Sequence, residues 1–339
     1  MTRIAVLGAG ANGSCISADL VHAGLNVTMI DPWPDHIEAI RLDGLHIFLP
    51  DEELHVKVDA QHICNLCALN KKFDIVLICF KAYDTRWAAE LIKPYLADDA
   101  IVVGMQNGMT ADSITAVVGQ HRTIGCVVEL ASQMFEPGKV TRSLTRDHTW
   151  FGIGALDQSM EVRLAEIEEI LRNVGKVSLN NNIQSAKWMK LIVNAMGAGS
   201  TMLGLNGNEA MKLPGMREIM LKCGEEALRA GQAQSYTIEP IFGLTREEIE
   251  GSNQLLEMLL DNIFAAIGTT SIDMIRQDHM KDRYSEVDLI NGKVVEVSAE
   301  SGAEAPANQV IVDITERIRS GELKMDPSNL DIAKEMLGV

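Results

Sequence analysis

Residues 4–33 read IAVLGAGANGSCISADLVHAGLNVTMIDPW. Four apolar residues lead into Gly8, Gly10 and Gly13, an amphipathic run follows, and a second apolar run stops at Asp31. This is strand, glycine turn, helix and strand in sequence, with the glycines spaced GxGxxG. The first glycine permits the tight turn, the second lets backbone approach a pyrophosphate, and the third lets the helix pack close to the sheet. The free N–H groups of the helix N-terminus then face the phosphates. The whole unit predicts dinucleotide binding by Gly8, Gly10, Ala11, Asn12 and Gly13. A carboxylate at Asp31 is placed to accept from the adenosine ribose hydroxyls and to repel a 2′-phosphate. That favours NAD(H), with NADP(H) remaining possible, and residues 32–36, PWPDH, carry no Lys or Arg to hold a phosphate. The alternative is that Asp31 caps the turn after it. Trp33 is placed to stack on adenine or to cover the sheet edge.

Working outward, strand and helix signals keep alternating. GLHIFLPDEELHVKVDA alternates apolar and polar residues about a Pro-Asp turn and reads as a hairpin. FDIVLICFK, AIVVGMQNG, RTIGCVVEL and HTWFGIG are further strand-length apolar runs. The order predicts a doubly wound, mainly parallel α/β sheet of the Rossmann type over residues 1–180. From Ile183 onward the patterns turn helical, in SAKWMKLIVNAMGAGSTMLG, GMREIMLKCGEEALRAG, SNQLLEMLLDNIFAAIG, SEVDLINGKVVEVSAESG and NQVIVDITERIRSG. An all-helical domain is therefore expected over residues 181–339.

The 339 residues carry a formal net charge of −17 without a clustered Lys/Arg run, which argues against a nucleic-acid surface. No stretch approaches the roughly 20 apolar residues that span a bilayer. The first residues form a strand and not a signal peptide, so a cytoplasmic protein with a small-molecule substrate is expected. Of the six cysteines, Cys79 and Cys126 lie in apolar runs and read as core thiols. Cys64 and Cys67 form a CxxC beside His62. A structural zinc site would need a second ligand pair of suitable spacing, which the sequence does not offer, so no metal is expected.

The chain also carries, in order, FKAYDT with Lys81, MQNGM with Asn107 and Gly108, EPGKV, KWMKLIVNA with Lys190 and Asn194, LNGNEA with Asn208, and YSEVDLING with Glu286, Asp288 and Asn291. In this order and spacing it resembles the ketopantoate reductase family, the 2-dehydropantoate 2-reductases and their relatives, from Arg3 to about Asn308. The resemblance implies a Rossmann domain followed by a helical domain of the 6-phosphogluconate dehydrogenase-like type. It implies hydride transfer between a nicotinamide and a carbonyl carbon beside a carboxylate. By position Lys190 matches the catalytic lysine that protonates the ketone oxygen, and Glu286 the acid that fixes the substrate hydroxyl. Asn107 matches the asparagine near nicotinamide ribose and substrate, Asn194 and Asn208 substrate-side asparagines, and Lys81 a cofactor-side lysine. The residue chemistry agrees. Lys190 and Asn194 are one helical turn apart, on a helix otherwise apolar at Trp188, Leu191, Ile192 and Val193. Partial desolvation there would lower the lysine pKa toward a value useful for proton transfer; the alternative is a lysine that snorkels to solvent. Glu286 taken alone reads as a helix-start acid after Ser285, and Asn107 before Gly108 as a turn residue.

Three positions depart from the family pattern. Ala198 stands where an asparagine usually repeats one turn beyond Asn194, and Ser271 and Met274 stand at an asparagine and a serine position. Those side chains would hold the carboxylate and hydroxyl of ketopantoate. Their loss at a buried site costs recognition and leaves a roomier, more apolar end of the pocket, with Met274 on the substrate side. With Asp31, the departures point to an NAD(H)-dependent oxidoreductase of this family acting on another 2-oxo or 2-hydroxy acid or a related carbonyl or alcohol. The alternatives are an authentic 2-dehydropantoate 2-reductase and, in another class, a non-catalytic dinucleotide sensor, which retention of Lys190 and Glu286 disfavours. Apolar faces on the C-terminal helices suit a homodimer contact or the domain's own core.

Overall fold

A computed structural model describes residues 1–250, 254–267 and 272–339. The chain divides into two compact units, Met1–Gln184 and Ser185–Val339. In the first, the strands are β1 (Arg3–Leu7), β2 (Asn26–Asp31), β3 (Leu45–Phe48), β4 (Glu53–Val56), β5 (Asp59–His62), β6 (Phe73–Ile78), β7 (Leu96–Gly104), β8 (Thr123–Glu129), β9 (Ser132–Glu136), β10 (Lys139–Arg142), β11 (Trp150–Ala155) and β12 (Lys176–Leu179). Its helices are α1 (Ala11–His22), α2 (Pro34–Asp43), α3 (Thr85–Ile92), α4 (Ala111–Val118) and α5 (Leu164–Leu171).

Eight strands form one sheet in the order β12-β11-β8-β7-β6-β1-β2-β5. Every neighbour pair is parallel except β11 with β8. The chain winds outward from β1 through β2, then returns to the other side of β1 to lay down β6 and β7. That reversal puts the topological switch between β1 and β6, where α/β sheets of this kind bind ligands at the strand carboxyl ends. The central strands read as continuous apolar runs because helices cover both faces; Ala5, Val6, Leu7, Val76, Leu77 and Ile78 are all fully buried.

The hairpin expected about Pro50-Asp51 is present as β3 and β4, and it belongs to a second sheet of order β4-β3-β10-β9. α1 packs against strands of both sheets. Its residues from Gly13 to Leu20 are therefore buried on every side, including Asp19, which takes Arg142 of β10 at 2.5 Å and Arg146 at 2.6 Å. Arg142, 1% exposed, also donates to Thr149 Oγ1 and to the Val174 carbonyl.

The second unit consists, among the described residues, of helices: α6 (Ile183–Gly197, which starts at the boundary), α7 (Gly199–Met202), α8 (Gly207–Ala210), α9 (Met216–Ala233), α10 (Arg246–Glu250), α11 (Leu255–Ile267), α12 (Met274–Met280), α13 (Val287–Glu300), α14 (Pro306–Arg319) and α15 (Asn329–Leu337). Trp188 seats α6 on α9, donating from Nε1 to the Ala227 carbonyl at 2.9 Å. Gly231 makes that approach possible, because a Cβ there would stand 2.0 Å from the indole nitrogen. A buried polar chain ties four helices together. Glu226 of α9 accepts the N–H groups of Ala307 and Asn308 at the start of α14, Asn308 accepts from Asn291 of α13, and Asn291 donates to the Ala195 carbonyl of α6.

Candidate active site

The glycine loop follows β1. Gly8 has φ +95°, and a Cβ there would lie 2.6 Å from Phe80 N, so the loops after β1 and β6 touch backbone to backbone. A Cβ on Gly13 would lie 1.9 Å from the Gly8 carbonyl oxygen. Gly10 differs: nothing lies within 4 Å of the Cβ position, so one side of the loop is open. Gly10 also caps α1 without a side-chain hydrogen bond, leaving Ala11 and Asn12 at the helix start. Tight contact at the first and third glycines with open space at the second is the shape a pyrophosphate needs, and the residues fit a dinucleotide. The Asn12 amide oxygen accepts from Ser132 Oγ of β9 at 2.6 Å.

Asp31, 8% exposed, lies at the carboxyl end of β2. One carboxylate oxygen accepts from Ala9 N at 2.6 Å and the other from Trp33 N at 2.8 Å. It therefore does cap the following turn, and it also grips the glycine loop. A carboxylate oxygen can accept more than one donor, and these two bonds fix the orientation of the Asp31 carboxylate at the end of β2. His62, paired in register with Asp31, has its Nδ1 accepting from Cys64 N and its Nε2 against the Pro32 carbonyl. The ring is thus held between backbone atoms of two loops beside Asp31. Arg41 is engaged with Ala60 O, Glu38 and Gln61. Trp33 stacks on His36, with ring centroids 5.5 Å apart.

His36 was not singled out by the sequence reading. It is fully buried and begins a relay to the loop. Gly138 N donates to Nδ1 at 2.9 Å, Nε2 meets Ser14 Oγ at 3.3 Å, and Ser14 donates to the Ala9 carbonyl at 2.8 Å. Burial pushes the imidazole pKa down to about 4. A second residue of this kind is Gln106, 5% exposed. Its amide donates to the carbonyls of Phe80 and Lys81 and to Thr85 Oγ1, so it binds the loop carrying Lys81 to the loop carrying Asn107. Gly108, at φ +71°, turns the chain immediately after Asn107. A glutamine preceding an Asn-Gly turn gave no signal in the sequence, since its partners, two carbonyls and a threonine hydroxyl, lie 21 to 26 residues away.

In the second unit, α6 is buried almost all round. Lys187 is 4% exposed, and from Ser185 to Met196 every residue but Lys190 is buried, Lys190 being half-buried. Its Nζ stands 4.7 Å from the centroid of the Phe242 ring, a contact that attracts the ammonium charge. Asn194, 7% exposed, and Ala198, 3% exposed, continue the same helical stripe at i+4 and i+8. Met274 opens α12, beside Asp273. That carboxylate caps α12 through Ile275 N and Arg276 N, and it accepts from Thr201 Oγ1 of α7 at 2.6 Å. The Ala198 and Met274 ends of their helices are thereby brought together. Ser271 lies outside the described residues. Asn208 sits on α8 and donates to the Phe264 carbonyl at 3.0 Å. Glu286 is the N-cap residue of α13 and is 3% exposed, far more buried than a plain helix-start acid.

Cys64 and Cys67 are exposed, Cys126 and Cys15 are buried, and Cys79 is half-buried just beyond β6. No helix of the described residues is long and apolar enough to cross a membrane.

Comparison with known proteins decides the family. The profile for ketopantoate reductase PanE/ApbA matches residues 4–155, and that for the ketopantoate reductase PanE/ApbA C terminal matches residues 182–319. The chain belongs to the ketopantoate reductase family. A 2-dehydropantoate 2-reductase of Halobacterium salinarum is 23% identical over 92% of this chain and 97% of its own. Among solved structures, a ketopantoate reductase family member from Ralstonia eutropha JMP134 is 27% identical with a TM-score of 0.79, covering 95% of this chain and 99% of its own. A D-mandelate dehydrogenase in ternary complex with NADH and anilino(oxo)acetate shares the fold, with a TM-score of 0.83 at 19% identity over 94% of this chain and 99% of its own. The ketopantoate reductase family is one of oxidoreductases, and the Rossmann sheet with its following helical unit is its architecture here.

Proposed function

We propose that this chain is an NAD(P)-dependent oxidoreductase that interconverts a 2-oxo acid, or a related carbonyl compound, and the corresponding alcohol. We propose further that it prefers NAD(H) and acts on a substrate other than ketopantoate. The observation that carries the reading is the stripe Lys190–Asn194–Ala198. On a helix buried nearly all round, the one lysine left half-exposed is the residue that matches the family's proton donor.

Gly8, Gly10, Ala11, Asn12 and Gly13 hold the pyrophosphate, Asp31 accepts from the adenosine ribose, and Lys81 and Asn107 serve the nicotinamide side. The bound nicotinamide supplies or takes the hydride. As hydride reaches the carbonyl carbon, Lys190 Nζ–H gives its proton to the carbonyl oxygen, leaving a neutral amine; in oxidation the amine takes the hydroxyl proton back. Glu286 accepts from the substrate hydroxyl, and Asn194 and Asn208 orient the polar end. Met274 and Ala198 surround an apolar substituent where polar side chains would hold ketopantoate. Asp31 supports NAD(H), because a 2′-phosphate would meet its charge while Arg41 is engaged with Ala60 O, Glu38 and Gln61. The names of the curated relatives support a second reading, a 2-dehydropantoate 2-reductase.

Lys190→Ala is the test of mechanism. Turnover is expected to fall about a hundredfold or more, the scale of a lost general acid, with NADH affinity unchanged. Turnover at the wild-type level would remove Lys190 from the chemistry.

A further inference from the structure

The second sheet brings together three side chains that the reaction does not use. The register of β3 against β4 places His46 directly opposite His55, and the rings stack with centroids 3.9 Å apart and planes 15° from parallel. Both Nε2 atoms face the last residue of α2. His46 Nε2 lies 3.0 Å from Asp43 Oδ2, and His55 Nε2 contacts the Asp43 backbone carbonyl. One donor atom from each of the three residues falls within a 4.8 Å cluster.

From this geometry we infer that Asp43, His46 and His55 form a site for a divalent transition-metal ion of the zinc class. Two imidazoles and a carboxylate are a donor set that zinc takes in four-coordinate sites, and the Asp43 carbonyl oxygen is a fourth donor in the same place. Metal–ligand bonds of about 2.0–2.2 Å put tetrahedral ligand atoms roughly 3.3 Å apart, so the His46–Asp43 separation needs little change. One feature favours a cation and a second lets the imidazole reach it. The Asp43 carbonyl ends α2, where the helix dipole is negative and carbonyls lack intrahelical donors. Residue 44 is a glycine at φ +89°, and a Cβ there would stand 2.5 Å from His55 Nε2, so any other residue would push the imidazole off the helix end.

The proton balance is simple. Carbonyl and carboxylate oxygens only accept, so each ring turns an Nε2–H toward Asp43. When the ion takes both Nε2 lone pairs, each proton moves through solvent to Nδ1 of the same ring. No oxidation occurs, and the ionised Asp43 offsets one of the two positive charges. Asp43 and His55 are exposed and His46 is half-buried, so the ion enters from solvent. Bound there, it would tie the β3–β4 hairpin to the end of α2.

The test uses the full chain without an affinity tag, stripped with a chelator. Zn²⁺ is titrated by calorimetry and Co²⁺ by its visible spectrum. One-to-one binding with the intense visible bands of four-coordinate Co²⁺ is expected. His46→Gln and His55→Gln should each weaken binding at least about tenfold. His22→Gln and the double variant Cys64→Ser, Cys67→Ser should leave it unchanged. Three results would overturn the site: no saturable binding by the wild type, binding that survives both histidine variants, or binding lost in the cysteine variant and kept in His55→Gln.

Discussion

His36 ties the glycine loop to pH. Its folded-state pKa is depressed from 6.5 to about 4 by burial. The unfolded chain therefore binds a proton that the folded chain refuses across that window. Stability is fully present above the unfolded value and is lost as pH falls from 6.5 toward the folded value. At about 1.4 kcal/mol per unit the complete loss is about 3 kcal/mol, and about 2.5 kcal/mol of it is gone by roughly pH 4.5. The perturbation is His36→Gln, which removes the titrating group and keeps a hydrogen-bonding side chain. Urea unfolding followed by tryptophan fluorescence is the assay, because Trp33, Trp87 and Trp150 all lie in the first unit and Trp33 stacks on His36 itself. At roughly pH 7.5 the variant is the less stable by about 1–3 kcal/mol, the cost of breaking a buried hydrogen-bonded relay. Between there and about pH 4.5 the gap should shrink by about 2.5 kcal/mol, since only the wild type carries this titration. A gap of constant size at both pH values would refute the reasoning, and with it the neutral His36 that supports Ser14 and Ala9.

Two further outcomes are expected. The wild type should bind NADH roughly tenfold or more tightly than NADPH, and Asp31→Arg should move preference toward NADPH, read by fluorescence titration of both cofactors. Because Asp31 also holds Ala9 N, that variant should lose NADH affinity by more than the charge change alone requires. Arg142→Met should cost about 3 kcal/mol, because it takes from buried Asp19 one of its two guanidinium partners; a loss under about 1 kcal/mol in the same urea assay would mean that Arg146 alone satisfies Asp19.

The parts legible in the sequence were those where a residue type has one physical reason to be there. Gly8 and Gly13 are glycines because any Cβ strikes backbone. The hairpin followed from strict alternation about Pro50-Asp51. Lys190 is legible through the family resemblance, and in the structure burial sets it apart from Lys187. The strands β5 and β12 were not read, since DAQH and KVSL are four residues long with few apolar side chains and owe their state to the neighbouring strand. β9 and β10 were missed for the same reason. His36, Gln106 and the Asn308–Asn291 chain work through partners distant in sequence, which no local pattern encodes. His46 and His55 were within reach: a hairpin centred between residues 50 and 51 pairs positions summing to 101, but neither histidine resembles a motif when read along the chain.

The proposed reaction is hydride transfer from NADH to a 2-oxo acid other than ketopantoate. NADH consumption by the wild-type chain, measured against ketopantoate and a panel of 2-oxo acids with apolar and aromatic substituents, tests it most directly. At least one apolar 2-oxo acid should be reduced with a kcat/KM about tenfold or more above that for ketopantoate. Reduction of ketopantoate above every other acid, or turnover of none of them with either cofactor, would contradict it.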